Sequence, residues 1–120
     1  MPHAIRLSAL TLCAALAAGP AFAHAHLRSA VPAVDSTVST APAEVAITYS
    51  EGVEPKFSTI EVDDAAGKRV DKQDPHTAPN DNKVLAVSLP TLQAGTYKVI
   101  WHATAVDTHK TEGTFTFTVK

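Results

Sequence analysis

The donors that could hold a metal ion in this 120-residue chain are mostly histidines and carboxylates; it has six His, one Cys and one Met. Two groupings stand out. His24-Ala25-His26 follows directly on Ala21-Phe22-Ala23, and Asp107-Thr108-His109 sets a carboxylate and an imidazole two residues apart. On an extended segment, residues i and i+2 point to the same side. Asp107 and His109 are therefore expected to face one space, just past a strand ending near Ala103. Cleavage after Ala23 would make His24 the first residue. Its new α-amine and its Nδ1 could then chelate one metal in a single ring. An α-amine with an unperturbed pKa of about 7.7–8 gives up its proton to a metal easily near neutrality. Amine, two imidazoles and a carboxylate make an N,N,N,O set, which suits a tetragonal copper(II) ion. Zinc could use the same groups in a tetrahedral arrangement. Copper(I) would prefer sulfur, but Cys13 and Met1 both precede His24.

Other residues compete for these roles. His26 is third from the prospective amine, and that spacing can bind copper(II) or nickel(II) through the amine, two deprotonated amides and the His26 imidazole. This rival needs the Ala25 and His26 amides free, whereas a strand starting here would engage some of them. The expectation is a His24 chelate with His26 in solvent or beside the site. Glu51 and Glu54 bracket Gly52-Val53, but nothing in the sequence pairs them for acid–base work. His102 follows Trp101, so alternation turns it outward. His76 falls in a polar stretch. Trp101 completes an apolar stripe with Tyr97 and Val99 and is expected in the core.

The elements that must position these groups begin after residue 23. Met1–Arg6 carries one fixed positive charge, Leu7–Gly19 is apolar, Pro20 breaks the run, and Ala21-Phe22-Ala23 has the A-x-A form of a cleavage site. This is the pattern of a secretory signal peptide, and the run is too short for a permanent transmembrane helix. Residues 1–23 are expected to be removed and 24–120 to form one domain, located in the periplasm and not itself membrane-spanning. That domain would enter an oxidising compartment without a cysteine to form a disulfide. The formal charge is −2, one unit more negative without Arg6. With no basic cluster beyond Lys68-Arg69, nucleic acid is excluded as a partner.

From His24 onward, apolar residues alternate with polar ones. Val45, Ile47 and Tyr49 form one set, Leu85, Val87 and Leu89 a second, Tyr97, Val99 and Trp101 a third, and Phe115, Phe117 and Val119 a fourth. Period two with β-branched and aromatic residues predicts half-buried strands. A first short strand is predicted near His26–Val31. A hairpin is predicted between Phe57–Val62 and Lys68–Val70, turning at Asp63–Gly67. The polar stretch Asp71–Asn82 reads as an exposed loop. The whole predicts an all-β, immunoglobulin-like or Greek-key sandwich or barrel of about seven strands. Leu27, Val45, Ile47, Tyr49, Ile60, Val62, Leu85, Val87, Leu89, Tyr97, Val99, Trp101, Phe115 and Phe117 would fill its core.

The sequence from His24 resembles the CopC family of periplasmic copper-binding proteins. The likeness lies in His24-Ala25-His26-Leu27 behind the cleavage site, Ser29-Ala30-Val31-Pro32, Tyr49-Ser50-Glu51 and Ala94-Gly95-Thr96-Tyr97-Lys98-Val99. It continues through Trp101, Asp107-Thr108-His109, Gly113 and Phe115-Thr116-Phe117-Thr118-Val119. The resemblance implies a Greek-key β fold binding one copper(II) per mature chain through His24, Asp107 and His109. It makes Glu51 a subsidiary candidate at or near the metal. It also implies a CopD-like inner-membrane protein as recipient. The protein itself is expected to be a monomer. Some members carry a Met-rich loop for copper(I); the Asp71–Asn82 stretch holds His76 and no Met, so no copper(I) site is expected. Two other functions bear weighing. An N-terminal copper-chelating His also occurs in polysaccharide-cleaving monooxygenases, which this chain resembles in that one feature. A metal-free immunoglobulin-like interaction module would be indifferent to loss of Asp107 or His109.

Overall fold

A computed structural model describes residues 24–120; the expected signal segment, residues 1–23, lies outside the described residues. Eight strands run in chain order: β1 (Leu27–Val31), β2 (Ser36–Val38), β3 (Glu44–Tyr49), β4 (Thr59–Asp63), β5 (His76–Ala78), β6 (Asp81–Ser88), β7 (Gly95–Thr104) and β8 (Lys110–Val119). They form two four-stranded sheets, ordered β1-β3-β6-β5 and β2-β8-β7-β4. The outcome is therefore a sandwich rather than a closed barrel. All pairings are antiparallel except β2 with β8, where Ser36, Thr37 and Val38 run parallel to Phe117, Thr118 and Val119. Among the described residues, no helix is long and apolar enough to cross a membrane.

The predicted alternation is the packing. Val45, Ile47, Tyr49, Ile60, Val62, Leu85, Val87, Leu89, Tyr97, Val99, Trp101, Phe115 and Phe117 are all buried in one core. Leu27 packs against this core but is only partly buried. Ala25, Val53, Ala103 and Ala105 belong to it as well, and their small or isolated side chains gave no period to read. The Trp101 indole lies across from Gly113 in the β7–β8 register. A Cβ at Gly113 would stand 2.6 Å from the ring, so the glycine makes room for the ring. Trp101 also meets Tyr49 edge-on, with centroids 5.3 Å apart.

The expected all-β sandwich of about seven strands is met by eight among the described residues, Ser36–Val38 being too short and too polar to show a period. Two expectations need correction. Phe57 does not start a strand: Pro55–Phe57 is a 3-10 turn, favoured by the fixed φ of Pro55 at its first position. The return arm of that hairpin shrinks to a single Asp63–Arg69 bridge. Asp71–Asn82 is not one exposed loop either, since it contains β5 and the start of β6. Its first residue, Asp71, is buried, accepting hydrogen bonds from Val62 N at 2.9 Å, Gln73 N at 3.1 Å and Arg69 Nε at 2.9 Å.

Candidate metal centre

The longest hairpin of the sandwich, β7–β8, pairs in unbroken register from Gly95–Val119 to Thr104–Lys110. Its tip is Ala105–His109. Thr108 N donates to Ala105 O at 2.8 Å, and Ala105 N donates to His109 O at 2.8 Å. Thr108 between them has φ +77. A turn followed by one left-handed residue is the three-residue hairpin loop with a bulge. Asp107 and His109 are thus brought together by a bulged turn, not by the extended segment assumed above. The Asp107 carboxylate accepts from His109 N at 3.2 Å and lies 3.1 Å from His109 Nδ1. Those bonds, ring first and backbone second, hold the Asp107 carboxyl below the usual carboxylate range. It is therefore an anion at neutral pH.

The N-terminal arm is fastened to the same end. Ser50 Oγ accepts from His26 N and donates to His24 O, both at 2.9 Å, and Ser50 N donates to His26 O at 2.8 Å. From the other sheet, Thr111 Oγ1 donates to Ala25 O at 2.7 Å, while the Ala25 methyl is fully buried. Held this way, the His24 ring meets the His109 ring edge-on, with centroids 5.1 Å apart. The His26 ring stands 6.0 Å from that of His24 and is exposed.

Glu51 is half-buried and sits between the two arms in sequence. Its neighbour Ser50 clasps the N-terminal arm, and its neighbour Gly52 accepts a hydrogen bond from Val106 N at 3.0 Å. His102 is outward, as expected, paired with Glu112 across the strands at 3.0 Å. His76 is exposed, its Nδ1 2.7 Å from Asp74 O.

The donor set can be tested for fit. Adjacent donors on a tetragonal ion, each about 2 Å from it, stand about 2.8 Å apart, and two imidazoles on one ion have centroids about 4.5 Å apart when adjacent. The Asp107–His109 and His24–His109 spacings are close to both figures. Among the described residues, however, no three His, Cys, Asp or Glu side chains are already gathered as a metal site. Sequence reasoning missed Ser50 and Thr111. Only the polar hydroxyls flanking the core stripes hinted at them.

The architecture is a two-sheet immunoglobulin-like domain whose N-terminal arm is bound to the tip of its longest hairpin, histidine against aspartate and histidine. The CopC domain model matches residues 27–120, and the chain belongs to the CopC family. Protein YobA of Escherichia coli strain K12 is 36% identical over 119 residues, covering 98% of this chain and 96% of its own. The crystal structure of CopC from Methylosinus trichosporium OB3b superposes with a TM-score of 0.76 at 31% identity, over 81% of this chain and 94% of that one. PcoC from Escherichia coli, described as a methionine-rich copper resistance protein, gives 0.69 at 36% identity over 82% of this chain and all of its own.

Proposed function

We propose that this protein binds one copper(II) ion in the cell envelope and buffers, carries or hands it over, contributing to copper homeostasis and resistance. The observation that carries this reading is the convergence of the His24 ring on the Asp107–His109 pair. Family membership and relatives named for copper resistance support the choice of metal. Residues 1–23 are a signal peptide, its removal frees the His24 amine, and the mature protein works as a periplasmic monomer. The ligands are the amine and imidazole of His24, the Asp107 carboxylate and the His109 imidazole, with Glu51 a subsidiary candidate. The copper is cargo, moved by ligand exchange and not by catalysis. Binding is proton-coupled, because amine and imidazoles must give up their protons. A CopD-like inner-membrane protein is the recipient. The relative PcoC is described as methionine rich; the one Met of this chain is Met1, so a separate copper(I) station has no thioether to use.

Two features weigh against the rival copper(II) site at His26. Its amide, which that chelate must deprotonate, already donates to Ser50 Oγ. Its ring is turned to solvent.

The test compares protein starting at His24 with the same protein carrying one extra Ala ahead of it. Tight binding of one copper(II) with a tetragonal, nitrogen-rich EPR spectrum, greatly weakened by the extension, is the expected result. Equal binding by both forms would sink the N-terminal chelate. Reductant-driven hydrogen peroxide production by the copper-loaded protein would favour an oxidative enzyme instead.

A further inference from the structure

Three histidine rings meet at one end of the sandwich, and the proposed ligand set uses two of them. His24 and His109 are half-buried, whereas His26 is exposed. Ala25 is sunk in the core, so His24 and His26 leave the arm together on its other side. The His26 backbone is pinned on both sides: its N–H donates to Ser50 Oγ at 2.9 Å, and its C=O accepts from Ser50 N at 2.8 Å. The ring takes no part in that clasp. It stands on a fixed root and moves by its own side-chain torsions. An imidazole nitrogen about 2 Å from a copper(II) ion puts its ring centroid about 3.1 Å from it. Two rings on one ion are then about 4.5 Å apart as neighbours and about 6.2 Å apart as opposites. The His24–His109 separation of 5.1 Å and the His24–His26 separation of 6.0 Å both fall in that range. An ion on His24 is therefore within reach of His109 from the half-buried side and of His26 from the solvent side.

We infer that His26 is a transfer ligand, the group that takes copper(II) from a small carrier at the rim and passes it to His24, Asp107 and His109. The inference rests on the copper(II) reading above and gives a role to a ring that reading leaves in solvent. A tetragonal copper(II) ion holds four ligands strongly in a plane and further ones weakly along its axis. Ligands are exchanged through those weak positions. The neutral His26 ring forms one nitrogen–copper bond as one bond to the carrier breaks, with no change of oxidation state. It then gives way as the donors of the proposed set close on the ion. A ring tethered beside the site is present at an effective concentration of about millimolar or more, far above what a chance encounter supplies. Because it is bonded only in passage, it lowers the barrier for entry and exit alike and leaves the equilibrium affinity as the resting ligands set it.

The experiment uses protein beginning at His24, as wild type and as His26→Ala, His76→Ala and Asp107→Ala. Loading from copper(II)–glycine is followed by stopped-flow visible absorbance, affinity by chelator competition, and metal-free stability by thermal melting. His26→Ala is expected to melt as wild type and to keep its affinity within about threefold, yet to load about fivefold or more slowly. Free imidazole at about 1–10 mM should restore its loading rate towards that of wild type in the same buffer. His76→Ala removes another exposed ring, on β5, and should load as wild type. An unchanged loading rate in His26→Ala overturns the inference while leaving the site intact. A rate that imidazole does not restore also overturns it, since the ring would then act through the structure of the arm. So does an affinity that falls as far as the rate, which would make His26 a resting ligand, or an equal slowing in His76→Ala. If Asp107→Ala binds as wild type, the metal-centre reading itself fails and takes this inference with it.

Discussion

Replacing Ser50 with Ala should weaken copper(II) binding although Ser50 is not itself a ligand. Its hydroxyl spans the N-terminal arm, accepting from His26 N and donating to His24 O. The substitution removes both bonds and leaves the strand pairing of β1 with β3 in place. A typical hydrogen bond contributes about 0.5–1.5 kcal/mol net, so two contribute about 1–3 kcal/mol. The groups are only partly buried, so water can take over part of the role, which points to the low end, about 1–1.5 kcal/mol. Thr111 Oγ1 still holds Ala25 O and Ala25 stays in the core, so the arm loosens without leaving. At about 1.4 kcal/mol per tenfold, the loss of affinity should be about fivefold to tenfold. Chelator competition on protein starting at His24 measures it, with hydrogen exchange at the His26 amide showing that the clasp is gone. Ser50→Thr keeps a hydroxyl and should bind nearly as wild type. If Ser50→Ala frees the His26 amide and still binds copper within about twofold of wild type, the clasp does not position His24 and the reasoning fails.

Three other outcomes follow from the same geometry. His26→Ala retains the amide that donates to Ser50 and removes only the exposed ring, so copper(II) affinity should change by less than about threefold; a collapse of binding in the competition assay would revive the His26 chelate. Gly113→Ala forces a methyl against the buried Trp101 indole and should cost about 1–3 kcal/mol in urea unfolding, followed through the fluorescence of this one tryptophan; an unchanged midpoint would show that the ring has room to shift. Asp71→Ala strands the buried Val62 amide and leaves the half-exposed Arg69 guanidinium with Glu61 alone, and should cost about 1–3 kcal/mol at neutral pH. Burial pushes the Asp71 carboxyl up, but hydrogen bonds from Arg69 and Val62 N and the Arg69 charge outweigh this and hold it below its ordinary value. Its contribution is therefore complete above the ordinary aspartate pKa of about 4 and fades as pH drops through the lower folded value. The stability gap between wild type and Asp71→Ala should narrow below about pH 4; a gap constant with pH would refute the assignment.

The parts of the fold legible in the sequence are those where one face of a strand is wet and the other dry. β3, β6, β7 and β8 repeat apolar residues at period two because each lies in a sheet with one face on the core, and their boundaries fall within a few residues of the alternating runs. The parts that stayed hidden lack that contrast. β2 is Ser-Thr-Val, three residues held by parallel pairing to Phe117–Val119, and no local pattern announces a partner some eighty residues away. β5 begins at His76 inside a polar stretch, where pairing to β6 and not composition makes it a strand. Asp71 looked like a loop residue because its type is usually solvated; buried, it is satisfied by Arg69 and by the N–H of Val62, neither of which a one-dimensional reading connects to it.

The candidate site divides along the same line. His24, Asp107 and His109 were legible because their chemistry is in their type and their proximity to a cleavage motif or to each other is local. What brings them together is not local. The hairpin tip is fixed by Gly52 and Val53 from the segment after β3, and the N-terminal arm by Ser50 from that same segment and Thr111 from β8. Residues 50–53 thus touch both halves of the site, clasping His24 and His26 through Ser50 and bracing Val106 and Ala105 through Gly52 and Val53. Glu51 lies in the middle of this brace. A short segment that carries no ligand in the proposed primary set therefore sets the distance between the arm and the tip, and the spacing of the donors depends on it as much as on the donors themselves.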